Sequence, residues 1–349
     1  MIIHSAYTHG GDIYRNHIVL DFSVNVNPLG TPEPVKEAVR AAAEDLSAYP
    51  DPYCEALRRR LSEIHGVPMD WLLCGTGAAE LIYQFISALR LQKTLLPVPS
   101  FSDDEAALAA AGCTPLYYPL LREEGFAVTE KLLAKITDDT ELLMLTSPNN
   151  PTGRVIPRDL LMRILERCRK TRTWLFLDEC FGELTDEATP SLAAELYPED
   201  RVFLLRAFTK TYAMAGVRLG YAICPEAGLL DRISQNSQPW NVSTLAQAAG
   251  LAALRCTDWA EKARALIRSE KEYLYRELRE LGVSVFESDA NYLLLSGVPG
   301  LYDGLLARGI LIRNCENYLG LGPGDARIAV RTHEDNVTLV GAVREVLHA

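Results

Sequence analysis

The stretch Arg206-Ala-Phe-Thr-Lys-Thr-Tyr-Ala-Met-Ala-Gly-Val-Arg-Leu-Gly-Tyr221 decides how this chain is read. It holds one lysine, Lys210, among small and apolar neighbours, with Arg218 eight positions further on. A lysine in apolar surroundings loses part of its ammonium stability and becomes a usable amine nucleophile. Arg218, with Thr209 beside the lysine, suits a bound phosphate monoester, because a guanidinium fork matches phosphate oxygens. A surface Lys and Arg flanking an ordinary strand-to-helix turn would look the same over so short a run, so the rest of the chain has to decide.

Working outward, Arg201-Val-Phe-Leu-Leu-Arg206 reads as a strand feeding the lysine loop. Lys93–Pro97, Thr114–Tyr118, Glu141–Thr146 and Thr173–Asp178 read as further strands, with helices over Asp103–Ala111 and about Pro157–Lys170 between them. Strands this apolar, separated by helices, predict an α/β fold with a mostly parallel sheet covered on both faces. Asn150 (in Ser147-Pro-Asn-Asn-Pro-Thr-Gly153), Asp178 and Lys210 all follow the carboxyl ends of such strands, where open α/β sheets bind ligands. Nearer the start, Leu72-Leu-Cys74 runs into Gly75-Thr76-Gly77-Ala-Ala-Glu80 and an apolar-periodic helix. A glycine turn at a helix N-terminus is an anion site. It is no P-loop, and it is only a partial dinucleotide fingerprint, because Glu80 stands at the third glycine position.

The flanks set the domain organisation. Residues 1–32, rich in turn formers such as His9-Gly-Gly-Asp12, read as an arm and lid, and Pro34–Ala48 as a helix of the small domain. Residues 49–244 form the large domain, with a helix over Glu55–His65 closed by Gly66. Residues 245–349 form a C-terminal small domain. It opens with a helical run to Leu281, broken near Cys256–Asp258, and continues in short strands (Val283–Phe286, Tyr292–Leu295, Ile310–Arg313, Arg327–Arg331) and two helices. The net charge of -11 argues against general affinity for nucleic acid or anionic membrane. No apolar run approaches a membrane span, and the N-terminus lacks the features of a signal peptide. Eight scattered cysteines with no Cys-x-x-Cys pair suit a reducing cytoplasm, and six histidines show no metal-ligand spacing.

A lysine that can form a Schiff base at one end of a ligand, and an anchor for a dianion at the other, are what pyridoxal 5'-phosphate requires. The motifs taken jointly and in order resemble those of the fold-type I, aspartate-aminotransferase-like pyridoxal-phosphate enzymes over essentially the full chain. The resemblance implies that Lys210 carries the cofactor and shuttles protons, and that Asp178 faces the pyridine nitrogen. It implies that Asn150 bonds the ring 3'-oxygen and Phe101 stacks on the ring. The Gly75-Thr76-Gly77 turn, through the amides of Thr76 and Gly77, would hold the phosphate with Thr209 and Arg218. Tyr49 matches a tyrosine that reaches the phosphate across a dimer interface, which implies a homodimer; Arg327 matches the arginine that pairs with the substrate carboxylate. Two positions depart from the common pattern: Ala207 lacks a hydroxyl three residues before the lysine, and Phe181 stands where many relatives carry Tyr.

Two branches fit the length, histidinol-phosphate aminotransferases and the L-threonine-O-3-phosphate decarboxylases of cobalamin biosynthesis. His9-Gly-Gly-Asp, Asp21–Gly30, Ile312–Tyr318 and Arg327-Ile-Ala-Val-Arg331 look like the decarboxylase, although the cysteine-rich tail of some decarboxylases is absent. That branch implies a small phosphorylated amino acid held by His9, Asn27, Arg313, Arg327 and Arg331. The expected reaction is decarboxylation of L-threonine O-3-phosphate, with transamination of histidinol phosphate as the first alternative. A non-catalytic effector-binding module is the alternative of another class. No metal is expected.

Overall fold

A computed structural model describes residues 9–187 and 189–348. The chain opens with a two-residue strand, β1 (Leu20–Asp21), followed by helices α1 (Glu33–Ala42) and α2 (Glu55–His65). Then strands and helices alternate: β2 (Leu72–Gly75), α3 (Ala78–Leu89), β3 (Thr94–Val98), α4 (Ser102–Ala110), β4 (Leu116–Pro119), β5 (Leu142–Thr146), α5 (Arg158–Thr171), β6 (Trp174–Asp178) and β7 (Val202–Ala207). A one-turn helix, α6 (Phe208–Thr211), carries the lysine; β8 (Gly220–Ile223), α7 (Ala227–Asn236) and α8 (Thr244–Ala253) follow. The remainder comprises α9 (Trp259–Glu280), β9 (Ser284–Val285), β10 (Tyr292–Ser296), α10 (Leu301–Leu306), β11 (Ile310–Leu311), β12 (Arg313–Asn314), β13 (Ala326–Ala329) and α11 (His333–Leu347).

The large sheet has the order β2-β8-β7-β6-β5-β3-β4. Its five central and outer strands from β4 to β7 run parallel, and β8 runs antiparallel to both β7 and β2. Period-two alternation sorts each strand between two cores. Leu143, Leu145, Leu175, Leu177 and Leu204 face α2, α5 and α8; Leu142, Met144, Phe176 and Phe203 face α3, α4 and α7. On the second face Phe85 sits against Trp174, Phe176 and Phe203, with ring centroids 5.9, 5.3 and 4.5 Å away. Burying one such side chain stabilises the fold by about 1.5–3 kcal/mol. A four-stranded antiparallel sheet, β12-β13-β10-β9, with α9, α10 and α11 forms a second body around Leu293, Leu295, Ile328 and Leu339.

Several expectations are corrected. The helix read as Pro34–Ala48 stops at Ala42, and it belongs with the large body: Val35 lies in the same core as Leu57, Leu219 and Ala249. α8 packs in that core too, so residues 245–253 are part of the large body and not of the C-terminal one. The physical reason is that α1 is apolar on one face and α8 around most of its circumference, and the two bury that surface in the core of the large body. The strand read as Ile310–Arg313 is two pieces: Ile310 and Leu311 pair with β1, and Arg313 and Asn314 pair with β13. Strand β8 and helix α7 are additions.

Candidate active site

The two bodies are sewn together along the carboxyl ends of the parallel strands. Tyr292 on β10 donates its hydroxyl to the Asn149 carbonyl at 2.8 Å, and the Asp289 amide donates to the Gly153 carbonyl at 2.9 Å. Gly153 has φ +78° and a Cβ there would lie 2.0 Å from Ser288 Oγ, so both conformation and space require glycine. These bonds fix the 147–153 loop, and with it Asn150, against the small body.

Lys210 sits on α6 with its amine 5.2 Å from the centroid of the Phe181 ring. Burial, then the nearby charges of Arg327 and Arg218, lower its pKa to about 8, while Asp178 and Cys180 oppose the shift. At neutral pH that leaves about a tenth of the amine unprotonated, roughly 300-fold more than for an ordinary lysine. Asp178, at the end of β6, is buried and accepts the Cys180 amide at 2.7 Å. Burial raises its pKa, and the Cys180 hydrogen bonds and the charge of Lys210 counteract this. Amine and carboxylate therefore share one electrostatic site.

Gly77 and Arg218 form the anion end. Gly77 has φ +96°, and a Cβ on it would lie 2.5 Å from Arg218 Nη2. The guanidinium thus lies directly over a bare backbone at the N-terminus of α3. Arg218 itself has φ 60°, and its Nη1 donates to the Ala215 carbonyl at 3.1 Å. The amides of Thr76 and Gly77 have partners within the loop. The Thr76 amide donates to Glu80 Oε2 at 2.5 Å and the Gly77 amide to the Gly75 carbonyl at 2.8 Å, so the loop consumes both. The first-turn amides of α3, starting at Ala78, are the ones a helix leaves without an internal partner. Thr209 is buried beside the lysine, and Phe101 caps α4 at the mouth.

Arg327 and Arg313 are the cationic end. They are register partners across β12 and β13, so their side chains leave the sheet on the same face. Both are buried. Arg327 donates Nη1 to Asn150 Oδ1 and Nη2 to the Ser23 carbonyl at 2.6 Å, and its Nε has no partner. Arg313 donates Nη1 to the Asn314 carbonyl and Nη2 to Asn317 Oδ1 at 3.1 Å, and lies over the Tyr318 ring. Among the described residues neither meets a carboxylate. Two buried like charges placed directly opposite each other destabilise a sheet unless an anion joins them.

Other expected site residues have the following surroundings. Asn27 is committed to the frame: its amide N donates to the Lys210 carbonyl at 2.9 Å, its Nδ2 to the Thr211 carbonyl at 2.8 Å, and its Oδ1 accepts from Leu29. It straps the N-terminal segment to the lysine helix. Arg331 is neutralised by Asp335 at 2.9 Å and donates to the Asp21 carbonyl, so it braces the small body. His9 lies 3.2 Å from Asp103 and 6.3 Å from the Phe101 ring centroid. The rest of the arm, residues 1–8, is outside the described residues. Tyr49 is 78% exposed and stacks on Trp240 at 4.4 Å. Sequence reasoning missed Tyr292, whose ring lies 5.5 Å from the Arg327 guanidinium. A lone tyrosine opening a strand carries no signal of its own. Among the described residues no cluster of His, Cys, Asp or Glu could hold a metal, and no helix is long and apolar enough to cross a membrane.

The residues fit pyridoxal 5'-phosphate: an amine with a lowered pKa, a buried carboxylate for the ring nitrogen, the side-chain amide of Asn150 beside them, and a guanidinium over a glycine cradle for the phosphate. On this fold, that site defines a pyridoxal-phosphate-dependent enzyme of the aspartate-aminotransferase-like class. Residues 17–343 match the family described as aminotransferase class I and II, and the chain belongs to it. It is 35% identical to the threonine-phosphate decarboxylase of Salmonella typhimurium, over 97% of this chain and 96% of that protein. It is 34% identical to a histidinol-phosphate aminotransferase of Symbiobacterium thermophilum, over 95% of this chain and 91% of that protein. Among solved structures, the histidinol-phosphate aminotransferase of Clostridium acetobutylicum superposes with a TM-score of 0.87 at 29% identity, over 95% of this chain and 99% of that one.

Proposed function

We propose that this enzyme decarboxylates L-threonine O-3-phosphate to (R)-1-aminopropan-2-yl phosphate and CO₂, a step of cobalamin biosynthesis. The observation that carries the reading is the buried Arg313–Arg327 pair without a carboxylate partner. The substrate is small and carries two anions, a carboxylate and a phosphate, enough to satisfy two guanidinium groups. The relatives named threonine-phosphate decarboxylase support the same reading.

When bound, the cofactor supplies an electron sink for the pair released as a bond to Cα breaks. The protein decides which bond that is, by holding one substituent across the plane of the ring. Arg327 is fixed at both ends, by Asn150 and by the Ser23 carbonyl, so a carboxylate gripped at its free Nε is held in one orientation. The Cα–carboxylate bond breaks, CO₂ leaves, and a proton goes to Cα. Lys210, with its pKa near 8, is suited to hold and deliver that proton.

Amino transfer on histidinol phosphate is the second reading, favoured by the 34% identical relative. One assay separates them. Incubation with phosphothreonine is expected to release one CO₂ per amine product, with no gain on adding 2-oxoglutarate. Turnover of histidinol phosphate with 2-oxoglutarate, and no CO₂ from phosphothreonine, would overturn the proposal. We also infer a homodimer, supported by the exposed aromatics Tyr49, Tyr53 and Trp240, and a reducing compartment, supported by eight free thiols. Sedimentation at a single monomer mass would refute the dimer.

A further inference from the structure

Residues 120–126, which follow β4, reach from the large body onto the small one. Phe126 stands there at φ 58°, a backbone region that bulky residues rarely adopt. Its ring and Leu120 join Leu294, Cys315 and Tyr318 of the small body in a separate buried cluster, with Phe286 beside it. The register shows which face of the small sheet is covered. Leu294 on β10 is the partner of Arg327 on β13, so both side chains leave the sheet on one face. Arg313, the partner of Arg327 on its other side, shares that face. The segment therefore docks on the face that carries the two arginines of the site.

Arg122 fastens this dock. Its Nη2 donates to Asp325 Oδ2 at 2.6 Å, and its Nη1 to Ser296 Oγ at 2.7 Å and to Asp325 Oδ1 at 3.4 Å. Its guanidinium carbon lies 5.4 Å from the ring centroids of both Phe126 and Phe286. The Asp325 side chain is only 3% exposed, so this carboxylate depends on its partners. The Cys315 amide donates to the Asp325 carbonyl at 2.9 Å, which extends the β12–β13 ladder by one pair and puts Asp325 on the face of Arg327, two residues on. Asp325 Oδ2 also accepts the Gly322 amide at 2.9 Å, inside the loop that joins β12 to β13. That loop supplies Asn317 and Tyr318, the side chains that hold the Arg313 guanidinium. One buried carboxylate thus ties together the roots of both arginines, and among the described residues its cation is Arg122.

We propose that Arg122, acting through Asp325, is a positioning residue that fixes how the Arg313–Arg327 pair is presented to the substrate. Without the guanidinium, Asp325 is left buried and uncompensated, and the loop that aims Arg313 rearranges around it. The inference rests on the reading of that pair as the substrate's anion site, not on which substrate bond breaks.

The test uses the cofactor-loaded protein and calorimetric titration with malonate, a small dianion without an amino group for the cofactor to take. Arg122→Met and Asp325→Asn should each raise the malonate dissociation constant by about five- to tenfold, with cofactor affinity within about threefold of wild type. The double variant should be no worse than the weaker single one, because both remove the same contact. Arg122→Lys should return to within about threefold of wild type. The sign for Asp325→Asn is decisive. Charge acting through space would make loss of this anion tighten malonate binding, whereas loss of positioning weakens it. Tighter or unchanged binding in Asp325→Asn, effects that multiply in the double variant, or a parallel loss of cofactor affinity would overturn the proposal. Absence of malonate binding to wild type would overturn it as well, by removing the anion site. Release of CO₂ from phosphothreonine by wild type, measured alongside, tests the reaction separately.

Discussion

Lys210→Met should stabilise the cofactor-free protein at neutral pH, although it abolishes function. The folded state holds the lysine at a pKa of about 8 against an ordinary 10.5. Each unit is worth about 1.36 kcal/mol, so the full cost of burying the charged amine is about 3.4 kcal/mol, an upper value because the side chain keeps some contact with solvent. The sign follows from a folded pKa below the unfolded one. Below about pH 8 both states are charged and the whole cost is present; between 8 and 10.5 the folded amine is neutral and the cost fades. Methionine keeps the stem and removes the charge. Urea unfolding of the two cofactor-free proteins should give a gap of about 3 kcal/mol near pH 7 that shrinks to about 1.4 kcal/mol near pH 9.5. A less stable variant at pH 7, or a gap unchanged by pH, would refute the electrostatic account of this lysine.

Two further outcomes follow from the same geometry. Arg327→Lys keeps the charge but loses the fork that spans Asn150 and the Ser23 carbonyl, so kcat/KM for phosphothreonine should fall by about 10–100-fold while cofactor affinity stays within about threefold. Gly77→Ala puts a methyl 2.5 Å from Arg218 Nη2 on a backbone at φ +96°, and spectroscopic titration should show cofactor affinity weakened at least tenfold in a protein that still folds.

How much of this was legible in the sequence depends on the range of the interactions involved. Leu142–Thr146, Trp174–Asp178 and Val202–Ala207 are covered on both faces, so their composition alone announces strands. The ends of those strands announce the site, which is why Asn150, Asp178 and Lys210 were found together. Gly220–Ile223 is four residues long and follows the lysine loop without a turn signal; its identity as a strand comes from pairing with β2 and β7. The bonds of Asn27 to the Lys210 and Thr211 carbonyls were hidden for a similar reason, since they join segments far apart in the chain. Arg313 and Arg327 were each nameable, but their opposition across β12 and β13 depends on register over an intervening loop, which no local pattern encodes.

Reducing the loaded protein with borohydride and mapping the modified peptide tests most directly whether the amine at position 210 is where the cofactor is attached. The account predicts one stable pyridoxyl group per chain, on the peptide containing Thr209-Lys210-Thr211, and none in Lys210→Met. A label on any other lysine, or undiminished labelling in the variant, would contradict it.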